Sequence, residues 1–212
     1  MFSGFSDAAL DFYEDLEADN SKTFWTAHKA VYESSVRAPM VGLLVELERD
    51  FGEGKVFRPY RDVRFSKDKT PYKTHQGGVV MVGPGIGYYV QIDASGLFVG
   101  GGFYQNTPDQ VARLRAAVDS DLRGEQLVRL TRALEKSGFE IGGDRLKTRP
   151  RGFAEDHPRL ELLRHRTLTA GRSYGCPQWL DSARTLTEVR ASWESLRPLT
   201  EWLTDVVGGP TG

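Results

Sequence analysis

Residues 77–104 read GGVVMVGPGIGYYVQIDASGLFVGGGFY. The runs GGVVMVG (77–83), GYYVQID (87–93) and GLFVGGGFY (96–104) are rich in β-branched and aromatic side chains and are bounded by turn residues. Such runs suit a pleated, half-buried surface and are read as strands. Asp93-Ala94-Ser95-Gly96 is a hairpin connection. Strands this close in sequence pair antiparallel, because a parallel crossover needs a much longer connection.

Outward from the strands the periodicity becomes helical. On the N-terminal side Ser6 can cap a helix carrying Ala9, Phe12, Tyr13 and Leu16 on one face. Asn20-Ser21 restarts the chain, and Phe24, His28, Val31, Tyr32 and Ser35 share the next face. Pro39 suits a first helical turn ahead of Met40, Leu43, Leu44, Leu47 and Phe51. After Gly52 and Gly54, KVFRPYRDVRF (55–65) alternates as a strand, with Pro59 marking an edge. On the C-terminal side Thr107-Pro108-Asp109-Gln110 opens a helix bearing Val111, Leu114, Val118 and Leu122. Leu127, Leu130 and Leu134 form another helix, closed by Gly138. Residues 138–168 predict a short strand, a loop over the sheet and a short helix near Leu160–Leu163. A last helix carries Leu186, Val189, Trp193 and Leu196, and Pro198 is expected to kink or restart it before Leu199, Trp202, Leu203 and Val206.

Helices, then consecutive strands, then helices give an α+β class. The expected architecture is N-terminal helices, a central, mainly antiparallel sheet of about four to six strands, and C-terminal helices packed on it. At 212 residues and 39 % apolar, one domain over residues 1–212 is the expectation. The single cysteine, Cys176, allows no intramolecular disulfide. The opening residues carry acids and no bases, unlike a secretory signal, and no apolar run spans a bilayer. A soluble, cytoplasmic protein with no membrane partner is expected. The oligomeric state is not legible.

Charge is near balance at −1 but unevenly placed. Arg58, Arg61, Arg64, Lys67, Lys69 and Lys73 outnumber Asp62 and Asp68 in one window. Arg145, Lys147, Arg149, Arg151, Arg159, Arg164, Arg166 and Arg172 outnumber Asp144, Glu155, Asp156 and Glu161 in another. Local cationic surface on an acidic body favours a small anionic ligand over a long polyanion.

Most motifs exclude themselves. GPGIG (83–87) leads into a strand rather than a helix, and neither it nor GGG (100–102) is followed by G-K-[ST], so both are read as turns or bulges. His28, His75, His157 and His165 form no metal-binding spacing, and no metal site is expected. No cofactor is specified. His28 reads as a core or pocket-wall residue, and Cys176 as a buried free thiol. No G-x-S-x-G elbow is present.

The remaining stretch is FRPYRDVRFSKDKTPYKTH (57–75). Alternation puts Arg58, Tyr60, Asp62 and Arg64 on one side and Arg61 among Phe57, Pro59, Val63 and Phe65 on the other. Asp62 between arginines can lock guanidinium forks whose remaining N–H groups take a phosphate or carboxylate. Arg61 requires a partner if buried. Lys67, Lys69 and Lys73 surround a proline turn that carries Tyr72.

The pattern R-x-x-R-D-x-R-F-x-x-[D/N]-K-x-x-Y, met by Arg58, Arg61, Asp62, Arg64, Phe65, Asp68, Lys69 and Tyr72, resembles the motif of a bacterial and fungal family known only as a domain of unknown function. The likeness extends to FSGF (2–5), FWTAHKAVY (24–32), GLFVGGGFY (96–104) and RGFAEDHP (151–158). It implies that residues 58–75 matter and implies no activity.

Three readings follow. In the first, Arg58, Arg61, Arg64, Lys67, Lys69 and Lys73 bind the anion of a small metabolite, closed over by the second basic window. Asp62 orients the arginines, and Tyr72, His75 and His157 are the candidates for proton transfer. In the second, the motif is a buried ion-pair network in an interaction module. In the third, which the acidic remainder disfavours, the basic windows bind nucleic acid.

Overall fold

The computed structural model describes residues 2–64 and 66–208. Phe65 of the motif lies outside the described residues. Helices α1 (Asp7–Ala18), α2 (Lys22–Val31) and α3 (Ala38–Phe51), with a π-helical segment Tyr32–Arg37 between the last two, precede the strands. Strands β1 (Gly54–Val56), β2 (His75–Gly83), β3 (Ile86–Asp93) and β4 (Gly96–Phe103) follow. Then come α4 (Pro108–Asp119), α5 (Asp121–Lys136), β5 (Glu140–Gly142), α6 (Leu160–Leu163), β6 (Leu168–Gly175) and α7 (Arg184–Val207). The strands form one six-stranded sheet in the order β1-β2-β3-β4-β6-β5, antiparallel where β1 meets β2 and β5 meets β6. The fold is α+β, as the sequence predicts.

Two compact units divide the chain. The first comprises 1–80, 89–99 and 173–191, and the second 81–88, 100–172 and 192–212.

In the first unit α1 buries Ala9, Phe12, Tyr13 and Leu16 as its spacing dictates. The buried face of α2 is not the expected one. Trp25 and Tyr32 are buried, whereas Val31 is exposed and His28 stacks half-buried on Phe24. Trp25 and Tyr32 stand seven residues apart, on one face of an ordinary helix, with Phe24 and His28 at its flank, and the π segment shifts the phase only beyond Tyr32. Ala38 N–H bonds to Glu33 O, five residues back, and Pro39 has no N–H to resume the ordinary ladder. Pro39 sits in the first turn of α3, as expected, although the helical backbone runs on from α2 through the π segment. Cys176, expected to be buried, is exposed, since the chain after β6 leaves it at the surface.

The expected strand over 55–65 shrinks to β1. Pro59 and Pro71 cannot donate to a ladder, so residues 57–74 instead double back on themselves. A lone Tyr60–Tyr72 bridge, Arg61 N–H to Pro71 O at 2.9 Å and Lys73 N–H to Pro59 O at 2.8 Å hold this loop. Its root is tied to Gln76, which is 1 % exposed. Tyr32 Oη donates to Gln76 Oε1 at 2.6 Å, and Gln76 Nε2 donates to Phe57 O at 2.8 Å and to Gly77 O at 2.9 Å.

In the second unit α4 opens with the expected capping box, Thr107 and Gln110 satisfying each other's backbone N–H groups. Leu122 does not continue its face. Ser120 is extended, α5 begins at Asp121, and Leu122 is exposed. Helix α7 runs through Pro198 without restarting. A continuous buried stripe of Trp193, Leu196, Leu199, Trp202, Leu203 and Val207 spans the proline, with Val207 rather than Val206 as its last buried residue. Strand β6 has no counterpart in the sequence reading. Two glycines and an arginine dilute its pattern, and only Leu168 and Ala170 are buried. The glycine clusters serve geometry. Gly85 turns β2 into β3 with φ +74°, and Gly102 in β4 has φ +131°. A Cβ on Gly102 would lie 2.4 Å from Leu168 O.

Gln76→Leu is expected to strand the Tyr32 hydroxyl and the Phe57 carbonyl, costing about 2–4 kcal/mol in chemical denaturation. Gly102→Ala is expected to cost more than about 2 kcal/mol, from the disallowed φ and the clash together. A midpoint unchanged from wild type in either variant contradicts the account.

Candidate functional site

The basic loop 57–75 separates into a tip and a root. At the tip Asp62 takes Arg64 in a bidentate grip, with Nε–Oδ1 2.9 Å and Nη2–Oδ2 2.7 Å. That bond holds the Asp62 carboxyl below its ordinary range. Asp68 accepts from Thr70 N at 2.9 Å, from Thr70 Oγ1 at 2.8 Å and from Arg61, and Arg61 also reaches Thr70. These bonds, the Thr70 N–H first, bring the Asp68 carboxyl down to about 2. Lys69 Nζ donates to Val63 O at 2.9 Å, and Lys67 is exposed. The partners are not buried: Asp62 and Asp68 are 46 % and 54 % exposed, and Arg64 is 77 % exposed. The alternating exposure expected of residues 57–64 does persist, although no strand forms there.

Tyr72 anchors the loop. It is buried, its ring lies flat on Trp25 at 4.2 Å, and the Asn20 side chain bonds both its N–H (3.1 Å) and its C=O (3.0 Å). Burial raises its phenol pKa, with Tyr60 adding to the effect.

At the root the structure brings Arg58, Lys73 and His75 together. Lys73 Nζ sits 5.3 Å from the Phe57 ring centroid. Partial burial lowers the Lys73 pKa, and the charge of Arg58 lowers it further. His75, half-buried at the start of β2, is depressed by burial and then by Lys73, against a smaller opposing pull from Asp93. Burial and Lys73 thus both disfavour the charged imidazole.

Beside His75 the same face of the sheet carries polar groups that charge counting does not find. Strand alternation puts His75 and Gly77 of β2 on one face, and Tyr89, Gln91 and Asp93 of β3 on one face. A Cβ on Gly77 would meet the Tyr89 hydroxyl at 2.6 Å, so the two sets share a face. Tyr89 Oη donates to Gln91 Oε1 at 2.6 Å, and Gln91 Nε2 donates to Asp93 Oδ2 at 2.7 Å. Asp93 Oδ1 accepts the Ser95 N–H at 2.7 Å, fixing the relay to the hairpin turn. Burial pushes the Tyr89 phenol up to about 12. Their neighbours Val90 and Ile92 are fully buried on the other face. The signal was present in GYYVQID as a polar period of two, Tyr89, Gln91, Asp93, against Tyr88, Val90, Ile92.

His157 belongs to the second unit, where both ring nitrogens are engaged. Nδ1 accepts from Arg159 N–H at 3.0 Å, so Nε2 carries the proton that it gives to Asp119 Oδ1 at 3.1 Å. It lines a groove of about 330 Å³ with Arg132, Arg159 and Glu161. In the second basic window Arg145 and Arg164 pair with Glu161, Arg149 with Glu155, Arg159 with Asp121 and Arg166 with Asp144. Among the described residues no group of three or more His, Cys, Asp or Glu could hold a metal ion, and no helix is long and apolar enough to cross a membrane.

A family model described as "Conserved hypothetical protein (DUF2461)" matches residues 8–202. Neither a curated protein nor a solved structure matches the chain. The family description names no reaction, and the match takes in the loop 57–75, the relay on β3 and most of both units. The chain thus belongs to the conserved hypothetical protein family DUF2461.

Proposed function

We propose that the sheet face at the start of β2 binds a small anionic ligand through its phosphate or carboxylate. Arg58 and Lys73 supply the charge, and His75 is the group assigned to proton exchange with the ligand. One observation carries this reading. The tip cations Arg61, Arg64 and Lys69 are spent on loop partners, whereas among the described residues Arg58 and Lys73 form no ion pair. A partly desolvated lysine beside an arginine, with no paired carboxylate, is a place where an anion is favoured. The depressed Lys73 and His75 are consistent with that uncompensated positive potential. Phe57 and the Tyr89–Gln91–Asp93 relay supply an aromatic wall and fixed hydrogen-bonding groups for the rest of a small molecule.

The structural alternative has less support, since the Asp–Arg pairs are solvent-exposed and exposed pairs contribute little. A nucleic-acid surface also has less, since arginines of the second window already hold carboxylates.

Calorimetric titration with inorganic phosphate, pyrophosphate, nucleoside monophosphates and di- or tricarboxylates tests the proposal. Arg58→Ala and Lys73→Ala are each expected to weaken binding by about ten- to a hundredfold. Arg64→Ala, which removes only the exposed pair with Asp62, is expected to change it by less than about threefold. Equal losses for all three variants, or no binding by any probe, overturn the proposal.

The pH dependence follows from the direction of the His75 shift. Its pKa is lowered in the free protein, and a bound anion raises it, so binding takes up a proton. Affinity is expected to rise as pH falls into the ordinary histidine range. Titrations in buffers of different ionisation enthalpy should show that uptake, and His75→Gln should abolish it. Uptake that survives in His75→Gln assigns the proton elsewhere.

A further inference from the structure

A groove of about 600 Å³ in the first unit is lined by Arg37, Val41, Leu44, Val45, Glu48 and residues 53–56. It lies along β1, the terminal strand of the sheet order, so its outer backbone edge has no neighbouring strand in the sheet. Val41 and Val45 are 36 % and 61 % exposed and stand one turn apart on α3. An open edge beside exposed valines is a surface that natural proteins ordinarily cover or blunt.

The charge along this strip has a definite order. A Cβ on Gly54 would meet Leu44 at 2.9 Å, and one on Gly78, the partner of Val56, would meet both Leu44 and Met40. Helix α3 and strand β1 therefore run in opposite directions. On the α3 side Glu48 lies at one end of the groove and Arg37 at the other, and along the edge strand Glu53 and Lys55 flank Gly54 in the same order. Arg37 is shared with Glu33 only at 3.8 Å, and among the described residues Glu48, Glu53 and Lys55 form no ion pair.

We propose that this strip binds a second copy of the chain about a two-fold axis passing at Gly54. A strip acidic at one end and basic at the other is its own complement under a two-fold rotation, which brings each end onto its opposite. With Gly54 facing Gly54 of the partner subunit, antiparallel pairing sets Glu53 opposite Lys55 of the partner subunit, and Lys55 opposite the partner's Glu53. Both side chains lie on the face away from Leu44, because they flank Gly54 in the alternation. The same rotation runs the two α3 helices past each other, joins their exposed valines and sets Arg37 against Glu48 of the partner subunit. A lysine on an edge strand normally repels a copy. This register gives it a carboxylate, and the absent side chain at Gly54 lets the backbones approach.

Sedimentation equilibrium on the full chain tests the proposal, with circular dichroism recorded for each variant to verify folding. Wild type is expected to be dimeric and Val45→Glu monomeric. Glu53→Lys and Lys55→Glu, each of which opposes like charges twice, are expected to weaken the dimer by about tenfold. The combined swap restores opposite charges and is expected to return to within about threefold of wild type. A wild type still monomeric near 1 mM, at the weak limit of about −4 kcal/mol, overturns the proposal. So does a double variant no better than its parents, or an unchanged dimer in Val45→Glu. Binding of an extended foreign peptide to a monomeric protein overturns it in favour of that occupant. None of these readouts involves the anion site, so either proposal can fail alone.

Discussion

The first unit depends on the buried amide of Gln76. A primary amide out of water must have its donors and acceptor met, and here every partner comes from a different part of the structure. Tyr32 of the π segment supplies the donor, and Phe57 at the start of the basic loop and Gly77 of β2 supply carbonyls. The requirement propagates backward as well as forward. Tyr32 reaches Gln76 from the start of the π segment, and that segment suits a chain with no N–H at Pro39. Forward, the loop departs from Phe57 and returns at His75, so both ends are pinned by the same side chain. Arg58 and Lys73 sit next to those ends, and Lys73 N–H is bonded to Pro59 O.

The motif therefore divides its labour. At the tip, Asp62 and Asp68 each close a small ring of hydrogen bonds around an arginine. With solvent on both partners, such pairs contribute of order 0–1 kcal/mol, too little to hold a domain together. What they supply is shape. Asp68 ties Thr70 and Arg61, the Tyr60–Tyr72 bridge follows, and Tyr72 is delivered flat onto Trp25. Tyr72 is thus placed by ring stacking and by Asn20, a residue whose role no spacing rule announces.

How much of this was legible depended on whether one residue or several decided the outcome. The hairpin strands, the N-terminal helices and the Thr107–Gln110 cap follow from local pattern, and the structure keeps them. The strand over 55–65 failed because Pro59 and Pro71 deny donors to a ladder, although the alternation that suggested it survives as alternating exposure. The face of α2 failed because its aromatic residues allow two neighbouring faces, and Trp25 with Tyr32, two turns apart, took the core while Phe24 and His28 flank it. Strand β6 was hidden by Gly171, Arg172 and Gly175, which pairing with neighbours tolerates and propensity does not. At the candidate site, charge density singled out the loop 57–75 but weighted all its cations equally. Only the partners separate Arg58 and Lys73 from Arg61 and Arg64. The relay Tyr89–Gln91–Asp93 was missed for the opposite reason, since three polar side chains on alternate positions carry little net charge.

The electrostatics of the root set the terms on which the proposed ligand would meet it. Partial burial weakens the hydration of Lys73 and His75, and no carboxylate is paired with Lys73 in return. Asp93, the acid that acts on His75, already holds Gln91 and the Ser95 N–H. It opposes burial and Lys73 without overcoming them. Burial and the Lys73 charge therefore lower the His75 pKa and favour the neutral imidazole. In the proposed reading an anion beside Lys73 would supply the opposite charge and favour the protonated imidazole, while the Tyr89 hydroxyl, its pKa pushed up to about 12 by burial, keeps its proton for Gln91. Proton and anion would then bind together, and the partial burial that disfavours charge at the root would favour a ligand of opposite sign.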